Sequence, residues 1–153
     1  MANTSEVAEA ANRFTSKDEP SLELLVGMVQ KAIDANPALK DQVYVEPKYE
    51  ANIMGPMDDV RNLGKRILKV WNTQLHALVC GNQAENKKDR QAILGALSLG
   101  ETAVIGAVAG ALIGLAVPAP LAAALAPLIV KKFIWPAKDE LCEAWLEAIA
   151  KNP

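Results

Sequence analysis

The sequence has little of the chemistry on which enzymes depend. Among its 153 residues there is one histidine, His76, and no cluster of histidine, cysteine and carboxylate side chains has the spacing of a metal site. No phosphate-binding glycine loop precedes a lysine and a hydroxyl residue, and no dinucleotide-binding glycine pattern follows a strand. His76 and Cys80 are four residues apart, but no third group is placed to orient them as a catalytic pair. We therefore predict a protein that is not an enzyme and that carries no cofactor and no metal.

Cysteine is scarce as well. Cys80 and Cys142 are too few to make a disulfide framework, which favours a reducing compartment. The N-terminus lacks the basic region and the apolar stretch of a secretory signal peptide. The sequence therefore predicts a cytoplasmic protein, one that associates with the inner membrane, if at all, from the cytoplasm or by a non-classical route.

Neither sign of charge dominates, since the net charge is −2. The most basic region is 56–100, with seven basic and four acidic residues. Its predicted exposed face has no interleaved aromatic residues on which bases could stack. Such a face is more typical of a solvated helix than of a phosphate-binding or lipid-headgroup surface, and we expect no nucleic acid as a partner.

Outside the centre of the chain, apolar residues recur at helical spacing. The pattern predicts helices over 20–35, 56–79, 86–97 and 137–150. In the second of these, the inward stripe is predicted to be Val60, Leu63, Ile67, Val70, Trp71, Leu75 and Leu78, while Asn72 is placed on the outer face.

The segments that lack this periodicity set the expected domain organisation. Residues 38–56 show no sustained period and are predicted to form a long loop. Residues 1–17 are polar and alanine-rich, which indicates a mobile or loosely docked N-terminal arm. We therefore expect a single helical domain over 18–153.

The centre of the chain has no charge. Between Glu101 and Lys131 lie 29 residues without a charged side chain, a length sufficient for a transmembrane candidate. Gly106, Gly110 and Gly114 recur every four residues, so they lie on nearly the same helix face, where another backbone can approach closely. This spacing is typical of helices that pack together in lipid.

Two prolines divide this segment. Ser98 and Glu101 match a capping box, which predicts the start of a helix. Pro118 and Pro120 cannot continue that helix, so the chain is expected to return as a second helix and to form a hairpin over 99–134.

Three arrangements of this segment remain open: a single kinked membrane span, a hairpin in the bilayer, and a hairpin buried in a bundle. The amphipathic helices have apolar stripes that need a partner, and the hairpin supplies one. We therefore predict an all-α fold, a small helical bundle with a central hydrophobic Gly/Ala-rich helical hairpin wrapped by amphipathic helices. In the isolated protein the hairpin would be at least partly hidden.

From Ser98 to Trp145 this pattern resembles the pore-forming domains of the colicin type, in its hydrophobicity, its hairpin break and its trailing charged helix. The chain is shorter than that family and has too few flanking helices for its full bundle. The resemblance implies insertion of the hairpin, with the amphipathic helices lying in the membrane interface. It also implies that Gly106, Gly110 and Gly114 mediate association and that Lys131, Lys132 and Trp135 anchor at the lipid headgroups.

Two functions therefore follow from the sequence. The first is a conditionally membrane-active, pore-forming or membrane-disrupting effector or toxin of bacterial defence, whose partner is a lipid membrane. The alternative is a non-enzymatic interaction module, such as an adaptor, inhibitor or immunity partner. In that case the hairpin is buried core, is covered by a protein partner, or forms the interface of a homo-oligomer.

Overall fold

Over residues 4–151, which the computed structural model describes, the chain forms helices and turns but no strands. The α-helices are α1 (Thr4–Arg13), α2 (Glu19–Ala35), α3 (Ala51–Met54), α4 (Met57–Cys80), α5 (Lys87–Ala96), α6 (Glu101–Gly114), α7 (Ala119–Ile129) and α8 (Leu141–Lys151). Short 3-10 turns occupy Pro37–Asp41, Ala84–Asn86 and Lys138–Glu140, and one π-helical turn follows α7 at Val130–Ile134. The predicted all-α bundle is confirmed.

The hairpin of α6 and α7 forms the centre of the bundle. Every residue of α7 is buried. Helix α6 is buried along one side only, at Val104, Ile105, Val108, Ala109, Ala111 and Leu112. Helices α1 and α2 both pack on α7, and α1 and α5 pack on α6. The most apolar part of the chain is therefore enclosed by helices that have a polar outer side.

A left-handed residue closes the first arm of the hairpin. Helix α6 ends at Gly114, roughly 21 Å from its start at 1.5 Å per residue. The amide of Val117 donates to the carbonyl of Leu112 at 3.0 Å, and Ala116 takes a φ of 72°. This is the hydrogen-bonding pattern of a Schellman motif, which commonly ends helices. The helix therefore ends at Gly114, three residues before Val117, where the sequence predicted its end because Pro118 follows.

The start of α6 also differs from the prediction. Gly100, with a φ of 122°, precedes the helix, and no side chain caps it. The hydroxyl of Ser98 donates instead to the carbonyl of Gly95 at 3.0 Å, at the end of α5. The predicted capping box of Ser98 and Glu101 is therefore not formed.

The N-terminal segment packs on the hairpin as a helix. Val7, Ala10 and Ala11 of α1, and Phe14 just after it, are each at most 2% exposed. Where the sequence indicated a mobile or loosely docked arm over 1–17, residues 4–17 include a helix whose apolar face is fully covered. The first three residues of that predicted arm, and the last two of the predicted domain, lie outside the described range.

Helix α4 is rotated relative to the predicted stripe. Its buried residues are Val60, Gly64, Leu68, Asn72, Leu75, Leu78 and Val79. Val70, predicted to face inward, is 52% exposed, whereas Asn72, predicted to face outward, is 2% exposed. The rotation follows from the partner helix, because Gly64 rather than a large side chain faces α2.

Two glycines bring α2 and α4 into backbone contact. A Cβ atom at Gly27 would lie 1.9 Å from the carbonyl oxygen of Val60, and a Cβ atom at Gly64 would lie 1.8 Å from that of Glu23. Neither backbone oxygen can move aside without separating the helices. The crossing of α2 and α4 therefore requires glycine at both positions.

We predict that Gly64→Ala lowers the free energy of unfolding by about 2 kcal/mol or more, because the added methyl group overpacks the crossing. Gly95→Ala is the matched control. No atom lies within 4 Å of a Cβ at Gly95, so helix propensity should raise the free energy of unfolding by up to about 1 kcal/mol. Urea denaturation measures both. Equal stability of the two variants would contradict the close crossing.

Candidate functional site

Two of the three glycines predicted to mediate association, Gly106 and Gly114, face different helices. A Cβ atom at Gly106 would lie 3.2 Å from the Cβ of Ala8 in α1. At Gly114 it would lie 3.1 Å from a carboxylate oxygen of Asp89 in α5. Gly110, between them, is half-buried. In this fold Gly106 is thus used for packing within the chain. The role of the three glycines in association stays a prediction.

Pro118 and Pro120 form the turn of the hairpin. Pro118 immediately precedes α7 with a φ of −56°, and Pro120 lies in its first turn, where a missing amide proton costs nothing. Lys131 lies at the other end of α7, roughly 18 Å away at the α-helical rise. The structure therefore separates the predicted turn residues from the predicted anchors by the length of one helix.

Lys131 is directed into the protein. Its ammonium group donates to the backbone carbonyl oxygens of Thr15 and, at 2.8 Å, of Lys17. Both carbonyls belong to the segment that joins α1 to α2. The lysine predicted as a headgroup anchor is therefore, in this conformation, a tether between the end of the hairpin and the helix that covers it.

Lys132 belongs to a buried charge cluster. Glu23 of α2 is 3% exposed, and its Oε1 lies 3.2 Å from Nη2 of Arg61 in α4. Its Oε2 lies 3.6 Å from Nζ of Lys132. One carboxylate thus links α2, α4 and the end of the hairpin. A buried carboxylate requires such partners, because an unpaired one would carry a large desolvation penalty.

Trp135, the third predicted anchor, is half-buried at the turn after the hairpin. The ammonium group of Lys138 lies 4.2 Å from the centre of its indole ring, within the range of a cation–π contact. The three predicted anchors are therefore neighbours in sequence that contact different parts of the bundle.

A disulfide bond joins α4 to α8. Cys80 and Cys142 are 62 residues apart in the sequence and are bonded in the structure, a single bond that the sequence did not predict. In the chain-entropy model, closing a loop of this length stabilises a fold by about 4 kcal/mol. The bond pairs the end of α4 with the start of α8, a juxtaposition that appears only once the helices are packed.

Polar contacts continue this junction. The indole Nε1–H of Trp145 donates to Oδ1 of Asn72 at 2.7 Å, and both side chains are buried. His76 lies edge-on to the same indole, and its Nε2 is 3.0 Å from the carbonyl oxygen of Cys142. The histidine therefore packs against α8, and its neighbour Cys80 has no free thiol with which to form a nucleophilic pair.

Metal-ligand clusters and shifted pKa values are two further features that bear on catalysis. Within 4–151 no group of three histidine, cysteine or carboxylate side chains is close enough to hold a metal ion. The pKa of Asp18 is lowered by hydrogen bonds from Ser21 that cap α2, and that of Tyr44 is raised by its hydrogen bond to Glu46. Both shifts have local structural causes.

Within the same residues, no single helix is long and apolar enough to cross a bilayer. Two consecutive helical segments, Ala119–Ile134 and Lys138–Lys151, together have the length and the apolar composition of a membrane span, but they meet at an angle of 75°.

Comparison of the chain with protein-family models, with curated proteins and with solved structures finds no match in any of the three. The resemblance to colicin-type domains therefore depends on the sequence pattern alone.

We predict that Lys131→Met lowers the free energy of unfolding by about 1–3 kcal/mol, since two carbonyls lose a charged donor. Lys48→Met, at an exposed loop position, is the control and should change it by less than about 0.5 kcal/mol. Urea denaturation with hydrogen exchange at α1 measures both. If Lys131→Met behaves like the control, the tether does not hold α1.

Proposed function

We propose that this protein is a conditionally membrane-active helical effector without enzymatic activity. It acts by inserting the 99–134 hairpin into the inner membrane and disrupting or perforating it, as a toxin of bacterial defence does. The observation that carries the proposal is the complete burial of α7 and of Val130 within a 29-residue stretch that has no charge. Such a stretch gains as much from lipid as from a protein interior.

The contacts at the end of the hairpin make the insertion conditional. Lys131 is bound by carbonyls next to α1, and Lys132 by the carboxylate of Glu23. Both sets of contacts must break before the hairpin can leave the bundle. The two hydrogen bonds of the Lys131 ammonium group contribute roughly 1.5–3 kcal/mol each, as is typical of hydrogen bonds to charged groups. Once free, the two lysines and Trp135 are placed to lie among headgroups.

Of the helices that surround the hairpin, α1 makes the most extensive contact with it. It packs on both α6 and α7, and only five residues, 14–18, connect it to α2. Its departure uncovers Gly106, whose face then becomes available to a second copy in the membrane, where small residues favour close helix packing.

The compartment is part of the proposal. A cytoplasmic location agrees with the sequence prediction, whereas disulfide bonds persist mainly in oxidising compartments. In a reducing cytoplasm the bond between Cys80 and Cys142 would be open, which loosens the α4–α8 junction. Alkylation of thiols in the protein taken directly from its cells distinguishes the two states.

A second candidate is a non-enzymatic interaction module. It is favoured by the close packing at Gly106 and Ala8, which is also what an ordinary buried core presents. Its hairpin would never leave the bundle, so the two candidates differ in one measurable event.

We predict dye release from vesicles of anionic lipid when the protein is added at mildly acidic or neutral pH. A locked variant provides the test. Ala8→Cys with Gly106→Cys places two Cβ atoms 3.2 Å apart, slightly nearer than the roughly 3.5–4.5 Å found across a disulfide. A small adjustment of the two helices therefore lets oxidation link α6 to α1. The oxidised lock should abolish release and dithiothreitol should restore it. The wild type with and without dithiothreitol, and Gly106→Cys alone, are the controls.

Release that the oxidised lock leaves unchanged would overturn hairpin insertion. The absence of release from folded wild type under every condition would also overturn it and would favour the interaction module.

A further inference from the structure

A cleft of about 300 Å³ lies between α4, α8 and the π-helical turn after α7. The volume is at the lower end of the range of small-molecule sites. Four lysines line it: Lys65 and Lys69 of α4, Lys132 of the turn and Lys151 of α8. The cleft is thus a concentration of positive charge on a protein whose net charge is −2.

Three of these lysines have no carboxylate partner within the described part of the chain. Lys132 is paired with Glu23. Among residues 4–151, no ion pair within 4.0 Å involves Lys65, Lys69 or Lys151. Lys65 and Lys69 are also one helical turn apart, where like charges destabilise a helix. An anion in the cleft would offset this repulsion.

The floor of the cleft is apolar. Leu68 is 4% exposed and Phe133 is 3% exposed, and half-buried Ile149 contributes from α8. A fully hydrated inorganic ion would leave this surface unused. The floor therefore fits a ligand that carries an apolar body beside its charge.

The buried polar groups at the cleft favour the same ligand. The carboxylate of Glu23 is already bound by Arg61 and Lys132. The side-chain oxygen of Asn72 accepts a hydrogen bond from Trp145. The NH₂ group of the same side chain is therefore the donor that remains for a ligand. The cleft thus offers donors and cations, while its one acidic group is neutralised.

We propose that this cleft binds a small amphipathic anion, a carboxylate or phosphate on a short apolar body. The ammonium groups of Lys65, Lys69 and Lys151 bind the charged head, and Leu68, Phe133 and Ile149 contact the apolar body. The cleft shares Lys132 and Phe133 with the 99–134 hairpin, so it exists only while the hairpin is packed in the bundle. Binding of the anion by the folded protein does not depend on the function proposed above.

The test is isothermal titration calorimetry of the full chain with octyl phosphate, kept below the concentration at which it forms micelles. Octanol and inorganic phosphate are the two half-ligands. Octyl phosphate should bind at least about tenfold more tightly than either, because only it satisfies both the charged rim and the apolar floor.

Lys65→Gln with Lys69→Gln should weaken the binding of octyl phosphate about tenfold or more. Lys87→Gln with Lys88→Gln, the same charge change on exposed positions of α5, should leave it unchanged.

Three results would overturn the proposal. Equal weakening by the two lysine pairs would show attraction by net charge alone. Inorganic phosphate binding as tightly as octyl phosphate would exclude a contribution from the floor. Binding to vesicles that contain phosphatidic acid, without binding to monomeric octyl phosphate, would show a membrane surface in place of a small-ligand site.

Discussion

The structure depends on covering a long apolar segment that cannot be exposed to water. Residues 102–130 have no charge, and exposed apolar area costs about 25 cal/mol per Å². The chain meets this requirement by placing α7 at the centre and packing α1, α2 and α6 directly on it. The amphipathic character of the surrounding helices follows, because each must present an apolar side to the hairpin and a polar side to solvent.

At the end of the hairpin, polar contacts hold the surrounding segments against it. Lys131 binds carbonyls beside α1, and Lys132 binds Glu23, which in turn binds Arg61. Burying these charges without partners would be unfavourable, so the helices that cover the hairpin are also the helices that satisfy its terminal charges. Displacing α1 together with the segment that joins it to α2 therefore exposes apolar surface and also unpairs Lys131, so the two sets of contacts are lost together.

Local patterns were sufficient to predict the helices, and contacts distant in sequence were not. Helical spacing located α2, α4, α5 and α8, and Pro118 and Pro120 located the hairpin turn. The face of α4 was misassigned because Gly64 approaches the backbone of Glu23, 41 positions earlier in the sequence, and Asn72 bonds to Trp145, 73 positions later. Helical periodicity carries no information about such distant pairs. The same holds for Cys80 with Cys142. Lys131, Lys132 and Trp135 were selected as anchors by their position after the apolar run, and that role stays a prediction. Their partners inside the bundle could not be predicted from this position.

Native-state hydrogen exchange of the disulfide-bonded protein tests most directly whether the hairpin is the innermost unit and α1 its removable cover. If so, amides of α7 exchange only by global unfolding, while those of α1 exchange through an opening of lower free energy that leaves α7 protected. Exchange of α7 amides as fast as those of α1, or faster, would contradict the account.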